Sequence, residues 1–194
     1  MMETLESIDR AIVLFVNGWN TPFLDELFWW ISQRITWVPL YIFLLVIAWR
    51  NLKKRTFAWM VALTILSVVL ADLLSVHAFK NVFQRYRPSH HADLTDLLHF
   101  YIKPNGELYK GGMYGFVSSH AANFFALAMS LTLFLKSKLK WIGSVMFSIA
   151  GVVAFSRLYQ GVHYLSDLLV GAILGCVIAC VLHSFVYSKL KSLE

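Results

Sequence analysis

Two histidines and one carboxylate lie where they could carry out nucleophilic chemistry. His163 and Asp167 are four residues apart at the head of an apolar run, so a helix would place both side chains on one face. A carboxylate that accepts the imidazole N–H fixes the tautomer and leaves the other ring nitrogen free to attack. His120 ends the sequence Val117-Ser118-Ser119-His120, which is typical of a helix start, where backbone N–H groups bind anions. By itself, the second pattern favours a capping turn with an interfacial histidine, and a purely structural His163–Asp167 pair is the alternative for the first.

Three basic residues could neutralise a phosphate group beside these histidines. Lys80 and Arg87 precede a proline, and Arg157 lies six residues before His163. A guanidinium group binds phosphate oxygens through two parallel donors, whereas an ammonium group acts as a point charge. Phosphoryl transfer needs positioning and charge stabilisation, which fixed cations and a helix start can supply without a metal. We therefore expect neither a metal nor a cofactor.

A second set of possible ligands lies between these motifs, in a polar loop without recognisable metal-ligand spacing. The set is His90, His91, Asp93, Asp96 and His99. We interpret these residues as a solvated rim. The loop continues through Pro104-Asn-Gly106 and Gly111-Gly112, and this turn-rich composition predicts that residues 89–115 form a cap over the site.

The elements that must position these residues are membrane helices. Of the 194 residues, 58% are hydrophobic and 14% are charged, and the mean hydropathy is +0.63, which is unlike a soluble domain. Five apolar runs are near the length that crosses a bilayer. They are Ile35–Trp49, Phe57–Phe79, Phe116–Leu135, Trp141–Phe155 and Leu165–Tyr187. The sequence thus predicts an all-α polytopic membrane bundle, with residues 1–194 as a single domain.

The short first and fourth runs are expected to borrow flanking residues. Phe28, Trp29 and Trp30 would extend the first, and Leu158 and Tyr159 the fourth. Before the first run, apolar residues recur at helical spacing among charged ones, which predicts an amphipathic interfacial helix that ends near Asn17-Gly18. Its apolar positions are Leu5, Ile8, Ile12, Phe15 and Val16.

Basic clusters indicate the orientation of the bundle. They lie between the first and second spans, between the third and fourth spans, and after the fifth: Arg50, Lys53, Lys54 and Arg55; Lys136, Lys138 and Lys140; Lys189 and Lys191. Five spans place all three clusters on one side, which the positive-inside rule assigns to the cytoplasm. The candidate site would then lie on the opposite, extracytoplasmic side of a bacterial-type inner membrane.

The remaining composition excludes other classes. The net charge of +6 is spread in short clusters beside apolar runs, which favours contact with membrane lipids and not with nucleic acid. Cys176 and Cys180 are one helical turn apart in an apolar run, which favours packing residues over a disulfide or zinc site. Asp72 lies inside the second span, and we expect it to face the bundle interior and pair with a polar neighbour, for example Lys80, His77 or a serine.

Together, the three motifs resemble the signature of the type 2 phosphatidic acid phosphatase (PAP2) superfamily. That signature is KxxxxxxRP, then PSGH, then SRxxxxxHxxxD. The first and third motifs match at every defined position: Lys80, Arg87, Pro88, Ser156, Arg157, His163 and Asp167. The second motif departs from it, with Val117 in place of proline and Ser119 in place of glycine. The serine could narrow the approach of the backbone to phosphate and so alter affinity or substrate shape.

The resemblance implies a lipid phosphatase that works through a phosphohistidine intermediate. It assigns attack on phosphorus to His163, polarisation of that ring to Asp167 and protonation of the leaving oxygen to His120. The same resemblance assigns phosphate binding to Lys80, Arg87, Arg157, Ser118 and Ser119. We expect a lipid phosphate or pyrophosphate substrate, first undecaprenyl pyrophosphate, with phosphatidylglycerol phosphate and lipid A phosphate as alternatives. A non-catalytic phosphate-binding or transport protein is the competing hypothesis from another class.

Overall fold

The structure is a computed structural model that describes residues 2–191, with the side chains of residues 4–186. Its architecture is a helix bundle, and the two β-bridges among these residues are isolated pairs in a loop. The main helices are α1 (Met2–Asn17), α2 (Pro22–Ser32), α3 (Val38–Asn51), α4 (Lys54–Leu74), α5 (Ser119–Leu135), α6 (Ile142–Tyr159) and α7 (Leu165–Lys191). A π-helical segment, Ser75–Lys80, continues α4 to Phe83. The predicted all-α membrane bundle is confirmed.

Each apolar run predicted from the sequence corresponds to a helix. Within the described residues, three helices are long and apolar enough to cross a membrane by themselves: Lys54–Phe83, Ile142–Tyr159 and Leu165–Val186. Helix α5 is apolar but shorter, with 17 residues. The extension of the fourth span through Leu158 and Tyr159 is also confirmed. The side chains of Lys189 and Lys191, which were assigned to the third basic cluster, lie outside those described.

The first span differs from the prediction. Residues Arg34–Asn51 meet Pro22–Ser32 at an angle of 70°, and the two segments satisfy the length and composition of a span only together. Phe28, Trp29 and Trp30 therefore belong to α2 and do not extend α3. Thr21 and Pro22 start α2 independently, since the Thr21 side chain caps the helix and proline is favoured in its first turn.

Helix α1 has the exposed apolar face that an interfacial helix requires. Leu5, Ile8 and Phe15 are 61%, 49% and 67% exposed. The other face of α1 packs on the protein and buries two polar residues, Asp9 and Asn17. The Asn17 side chain donates to the carbonyl oxygens of His99 and Tyr159, so α1 is joined to both the cap and α6. This helix is therefore an integral part of the bundle as well as a membrane-facing element.

Helices α5 and α7 pack so closely that side chains are excluded from their crossing. Gly171 and Gly175 of α7 lie against the backbone of α5, in the small-xxx-small pattern of membrane helix pairs. A Cβ atom at Gly171 would lie 2.7 Å from the carbonyl oxygen of Ser118. At Gly175 it would lie 2.8 Å from the Ala126 nitrogen and closer still to a carbonyl oxygen. The glycines thus set the distance between two helices that both begin at the candidate site.

We expect Gly175→Ala to lower the apparent unfolding temperature of the purified protein by several degrees. The added methyl group must push α5 and α7 apart, and overpacking of this kind typically costs about 1–3 kcal/mol. Gly151→Ala in α6 is the matched control, because a Cβ atom there meets no heavy atom within 4 Å. Equal unfolding temperatures for the two variants would contradict the close packing described above.

Residues 88–115 form a turn-rich cap over one end of the bundle, as the sequence predicts. The cap contains two short 3-10 turns, and its buried residues Leu94, Leu98 and Phe100 pack in one cluster with apolar residues of α1 and α6. Its outer part stacks on α2, where the rings of Tyr101 and Trp29 are 4.5 Å apart. The cap is therefore held in place over the ends of the helices.

Candidate active site

The candidate site lies at the end of the bundle where α4 and α6 end and where α5 and α7 begin. Groups from all three sequence motifs act electrostatically on the imidazole ring of His163. They are Arg87, Arg157, Lys80 and His120. The loops that carry these residues are distant in the sequence, and the fold brings them together as predicted.

His163 lies in the connection between α6 and α7 and is 1% exposed. Gly161 allows the chain to turn into this connection, because it adopts a φ of 65°. The Nδ1 atom of His163 is 3.3 Å from Oδ2 of Asp167, and its Nε2 atom is 3.0 Å from Nη1 of Arg87. Since a carboxylate only accepts and a guanidinium only donates, these partners place the proton on Nδ1 and the lone pair on Nε2.

The electrostatic environment keeps this imidazole neutral. Burial lowers the pKa of His163 well below its usual range, and the positive charges of Arg87 and Arg157 lower it further. A neutral ring is the form that can attack an electrophile, so the environment of His163 is suited to a nucleophile.

Asp167 is fully buried in the first turn of α7 and uses both carboxylate oxygens. Oδ2 faces His163 and also accepts the backbone N–H of Tyr164 at 3.0 Å. Oδ1 accepts from Arg85 at 3.0 Å. Three donors therefore hold the carboxylate in one orientation toward the histidine.

Arg87 is held rigidly beside the His163 ring. It is 8% exposed, and its guanidinium donates to the carbonyl oxygens of Tyr114 and Val162. Burial and the nearby positive charge of Arg157 lower the pKa of Arg87 to about 10, so it remains protonated at neutral pH. A Cβ atom at Gly115 would lie 3.0 Å from both Cγ of Arg87 and Oδ2 of Asp167. Glycine at this position lets the cap approach both groups.

Arg157 is 2% exposed at the end of α6, and one of its three guanidinium nitrogens has no hydrogen-bond partner. Its Nη1 donates to Gln160 at 2.8 Å and its Nη2 donates to the Tyr109 hydroxyl of the cap at 2.7 Å. Its Nε is buried and makes no hydrogen bond. A buried guanidinium N–H without a partner is costly, which indicates a site for an anion.

The serines of the second motif have different positions. Ser118 is fully buried and caps α5, with its Oγ 3.5 Å from the backbone nitrogen of Ala121. Ser119 faces α4, where its hydroxyl contacts Lys80 Nζ at 2.5 Å and the Ser75 hydroxyl at 2.6 Å. The serine that replaces the family glycine therefore binds the lysine of the first motif.

His120 lies in the first turn of α5 beside the backbone of Ser32, and it lines a cavity between α3, α4 and α5. Asp72 borders the same cavity. Its Oδ1 accepts from the amide of Asn123 at 3.0 Å, which confirms the predicted pairing with a polar neighbour and identifies a partner other than the examples given. The partner is different because residues 72 and 123 face each other across the α4–α5 packing.

The polar residues of the predicted rim are attached to the first two helices. His91 and Asp93 contact Arg10 of α1, and His99 is 2.8 Å from Asp25 of α2. Within the described residues, no three His, Cys, Asp or Glu side chains are grouped so that they could hold a metal ion. Cys176 and Cys180 are both free thiols, in agreement with the prediction.

A buried network behind Asp167 was not predicted from the sequence. Arg85 donates to Asp167 through Nη1 and to Oδ2 of Asp9 through Nη2, at 3.0 and 2.9 Å. Asp9 is 5% exposed and also accepts from the backbone N–H and the hydroxyl of Ser166. Helix α1 thus supports the carboxylate that orients His163. The sequence contains one sign of this network, which is a second arginine, Arg85, in the first motif two residues before Arg87.

We expect Asp9→Asn to lower kcat for phosphate release by about tenfold, with little change in KM. The amide cannot balance the charge of Arg85, so the guanidinium pulls on Asp167 and shifts the His163 ring, whereas the phosphate cradle is unaffected. Glu6→Gln, which removes an exposed ion pair from the same helix, is the matched control. An unchanged kcat in Asp9→Asn would contradict this positioning role.

Comparison with known proteins agrees with the site. The family model described as PAP2 superfamily matches residues 57–191, which include all three motifs. The chain is 34% identical over 177 residues to a lipid A 4'-phosphatase from Porphyromonas gingivalis, covering 91% of this chain and 72% of that protein. It is 33% identical over 176 residues to a lipid A 4'-phosphatase from Bacteroides thetaiotaomicron, covering 90% and 75%.

Two solved structures share the fold. A transmembrane PAP2-type phosphatidylglycerolphosphate phosphatase from Bacillus subtilis aligns with a TM-score of 0.69 and 21% identity, covering 95% of this chain and 87% of that one. Aquifex aeolicus LpxE aligns with a TM-score of 0.59 and 22% identity, covering 90% and 93%. The match to the family model and the arrangement of the three motifs lead to one conclusion. This chain belongs to the PAP2 superfamily and is an integral membrane lipid phosphatase.

Proposed function

We propose that this protein removes a phosphate group from a lipid A phosphate on the extracytoplasmic side of a bacterial inner membrane. The observation that carries the chemistry is the position of His163, with its Nδ1 against Asp167 and its Nε2 against Arg87. This arrangement supplies an oriented nucleophile and a cation at the atom that would bond to phosphorus.

In the first step, the lone pair on Nε2 of His163 attacks phosphorus while the bond to the leaving oxygen breaks. The proton on Nδ1 stays with the imidazole and is stabilised by Asp167 as the ring becomes positive. His120 gives a proton to the leaving oxygen, and the lipid alcohol departs. The product is a phosphohistidine.

In the second step, a water molecule attacks phosphorus from the side that the lipid alcohol has left. His120, now without its proton, accepts a proton from that water, and the N–P bond breaks to return electrons to Nε2. Inorganic phosphate is released and both histidines return to their starting states.

Fixed cations stabilise the charge on the transferring group. Arg87 and Arg157 are buried next to the nucleophile, and Lys80 approaches from the end of α4. The free N–H on Nε of Arg157 and the backbone donors at the start of α5 complete the cradle. Because this charge is already in place, we propose that the reaction proceeds without a metal or cofactor.

The membrane orientation follows from the charged ends of the helices. The α3–α4 junction carries Lys53, Lys54 and Arg55, and the α5–α6 junction carries Lys136 and Lys138. Both junctions lie at the ends of α4 and α5 opposite the candidate site. The positive-inside rule assigns those junctions to the cytoplasm and the site to the other face.

Similarity to proteins of known activity supports lipid A phosphate as the substrate. Undecaprenyl pyrophosphate was the first substrate expected from the sequence, but the two relatives above are both lipid A 4'-phosphatases that match about nine tenths of this chain. The solved phosphatidylglycerolphosphate phosphatase is only 21% identical. We therefore place lipid A phosphate first, and the other two lipids become alternatives.

A panel of purified lipid phosphates in mixed micelles tests this proposal, with released inorganic phosphate as the readout. The panel contains lipid A phosphate, phosphatidylglycerol phosphate and undecaprenyl pyrophosphate at equal mole fractions. We expect the highest kcat/KM for lipid A phosphate. A higher value for either of the other lipids would reject the substrate assignment, and no release from any of them would favour a non-catalytic phosphate-binding protein.

A further inference from the structure

The cavity that His120 borders lies on one side of the candidate site. It has a volume of about 510 Å³ and is bordered by His120, whereas His163 and Arg87 are not part of its lining. Since His120 is the proposed donor to the leaving oxygen, the cavity is on the side where the leaving alcohol would lie.

The outer wall of this cavity is apolar and faces lipid. Ile65, Val69 and Leu73 of α4 are 59%, 46% and 47% exposed and border it. A second cavity of about 190 Å³ shares Tyr41 and Ile65 with the first and is almost entirely apolar. The two together can hold hydrocarbon chains that continue from a group placed beside His120.

Hydrocarbon alone does not account for the polar groups in the first cavity. Asn123 lies three residues after His120, on the same face of α5, and its Oδ1 is buried without a hydrogen bond. Its amide nitrogen is already used by Asp72. Arg34, exposed at the break between α2 and α3, also borders the cavity, and its guanidinium has no hydrogen bond or ion pair to any described side chain.

Polar side chains that pair for a purely structural reason inside a membrane protein use their buried donors and acceptors in hydrogen bonds with each other. Here Asn123 leaves a buried acceptor open, and the exposed guanidinium of Arg34 borders the same cavity next to the proposed acid. A ligand that matches them must carry a hydrogen-bond donor and oxygen acceptors close to its phosphoester. A sugar with hydroxyl and amide groups has both, whereas an alkyl or isoprenoid chain has neither.

We infer that Arg34, Asp72 and Asn123 form a leaving-group subsite that binds the amide- and hydroxyl-bearing sugar of a glucosamine-based lipid phosphate. This inference rests on the proposed function, because it assigns the sugar of that substrate to a defined set of side chains. Asn123 Oδ1 accepts from a sugar O–H or N–H, and Arg34 donates to sugar or acyl oxygens at the cavity mouth. Asp72 holds the Asn123 amide so that its oxygen faces the ligand.

The test compares two substrates that differ in the leaving group. The first is lipid A phosphate, and the second is a long-chain alkyl phosphate, which has a phosphate monoester and an acyl-like chain without a sugar. We expect Asn123→Leu and Arg34→Gln each to lower kcat/KM for lipid A phosphate by about tenfold, the scale of one lost hydrogen bond. Turnover of the alkyl phosphate should stay within about twofold of the unmodified protein.

Ser67→Ala is the matched control for disturbed helix packing. Ser67 is buried on α4, does not border the cavity, and donates to the carbonyl oxygen of Leu63 at 2.7 Å. This variant should preserve the ratio of the two substrates. Equal losses on both substrates in Asn123→Leu and Arg34→Gln, or no loss on lipid A phosphate, would overturn the subsite while the proposed function stands. If the unmodified protein releases no phosphate from lipid A phosphate, the proposed function fails and the subsite fails with it.

Discussion

His163→Asn should lower the rate of phosphate release by about 10³-fold or more while substrate binding persists. The carboxamide can still accept from Arg87, but it cannot form the bond to phosphorus that the imidazole nitrogen forms. The cradle of Arg87, Arg157 and Lys80 is unchanged, so KM and inhibition by inorganic phosphate should change little. Phosphate release and isothermal titration with the lipid measure the two effects separately.

A trapping experiment identifies the covalent step directly. Protein incubated with a substrate labelled on phosphorus and then denatured in alkali should retain label in the unmodified form and lose it in His163→Asn. His77→Asn is the control, because His77 is an exposed histidine of the π-helical segment to which no role in the site is assigned. Turnover in His163→Asn equal to that in the control would reject the phosphohistidine mechanism.

Asp167→Asn should also lower kcat by about 10³-fold, for a reason specific to hydrogen bonding. Both carboxylate oxygens accept here: Oδ1 from Arg85, and Oδ2 from His163 and the backbone N–H of Tyr164. An amide has one accepting end, so either the arginine or the histidine would face an NH₂ group. The His163 proton would then lose its acceptor and the wrong tautomer would become favoured.

The measurement for Asp167→Asn is a single-turnover assay, in which formation of the phosphoenzyme should become rate-limiting. Asp93→Asn provides the control, because Asp93 is an exposed carboxylate that pairs with Arg10. The loss in Asp167→Asn should exceed the loss expected for Asp9→Asn, which acts on the same histidine through one more residue. A larger loss of kcat in Asp9→Asn than in Asp167→Asn would contradict the proposal that Asp9 acts on His163 only through Arg85 and Asp167.

Most of the site could be predicted because each motif lies at the end of an apolar run. Once the runs cross the membrane in alternation, the ends that carry Arg87, His120 and His163 must fall on one side. The motif spacing then indicates which side chains meet. The contact of His163 with Asp167 was predicted from their spacing, although His163 precedes α7 and the contact forms at the start of that helix.

Contacts that depend on how the helices are rotated about their axes could not be predicted from the sequence. Asp9 was interpreted as one of several charges on the polar face of an amphipathic helix, and only the docking of α1 shows that it is buried against Arg85. Asp72 was expected to face the interior, but its partner on α5 follows from the rotation of that helix. Pairings across helices need the packed structure.

The start of α2 could have been found, because Thr21-Pro22 is a capping residue followed by a first-turn proline. The sharp bend after Ser32 has no comparable signal, since neither glycine nor proline lies between Ser32 and Trp37. The bend and the cavity beside it could therefore be identified only in the structure.

The exposed apolar residues Ile65, Val69 and Leu73, which border the cavity, favour entry of the substrate from within the membrane. A lipid that enters along this route keeps its tails in the bilayer. Extraction into water would cost about 0.8 kcal/mol per methylene group, or roughly 10 kcal/mol for one chain of about 14 carbons. The search for substrate is then two-dimensional diffusion within a leaflet. Turnover should follow the mole fraction of the lipid in the membrane and not its bulk concentration, so dilution with inert lipid slows the enzyme even when the total amount of substrate is constant.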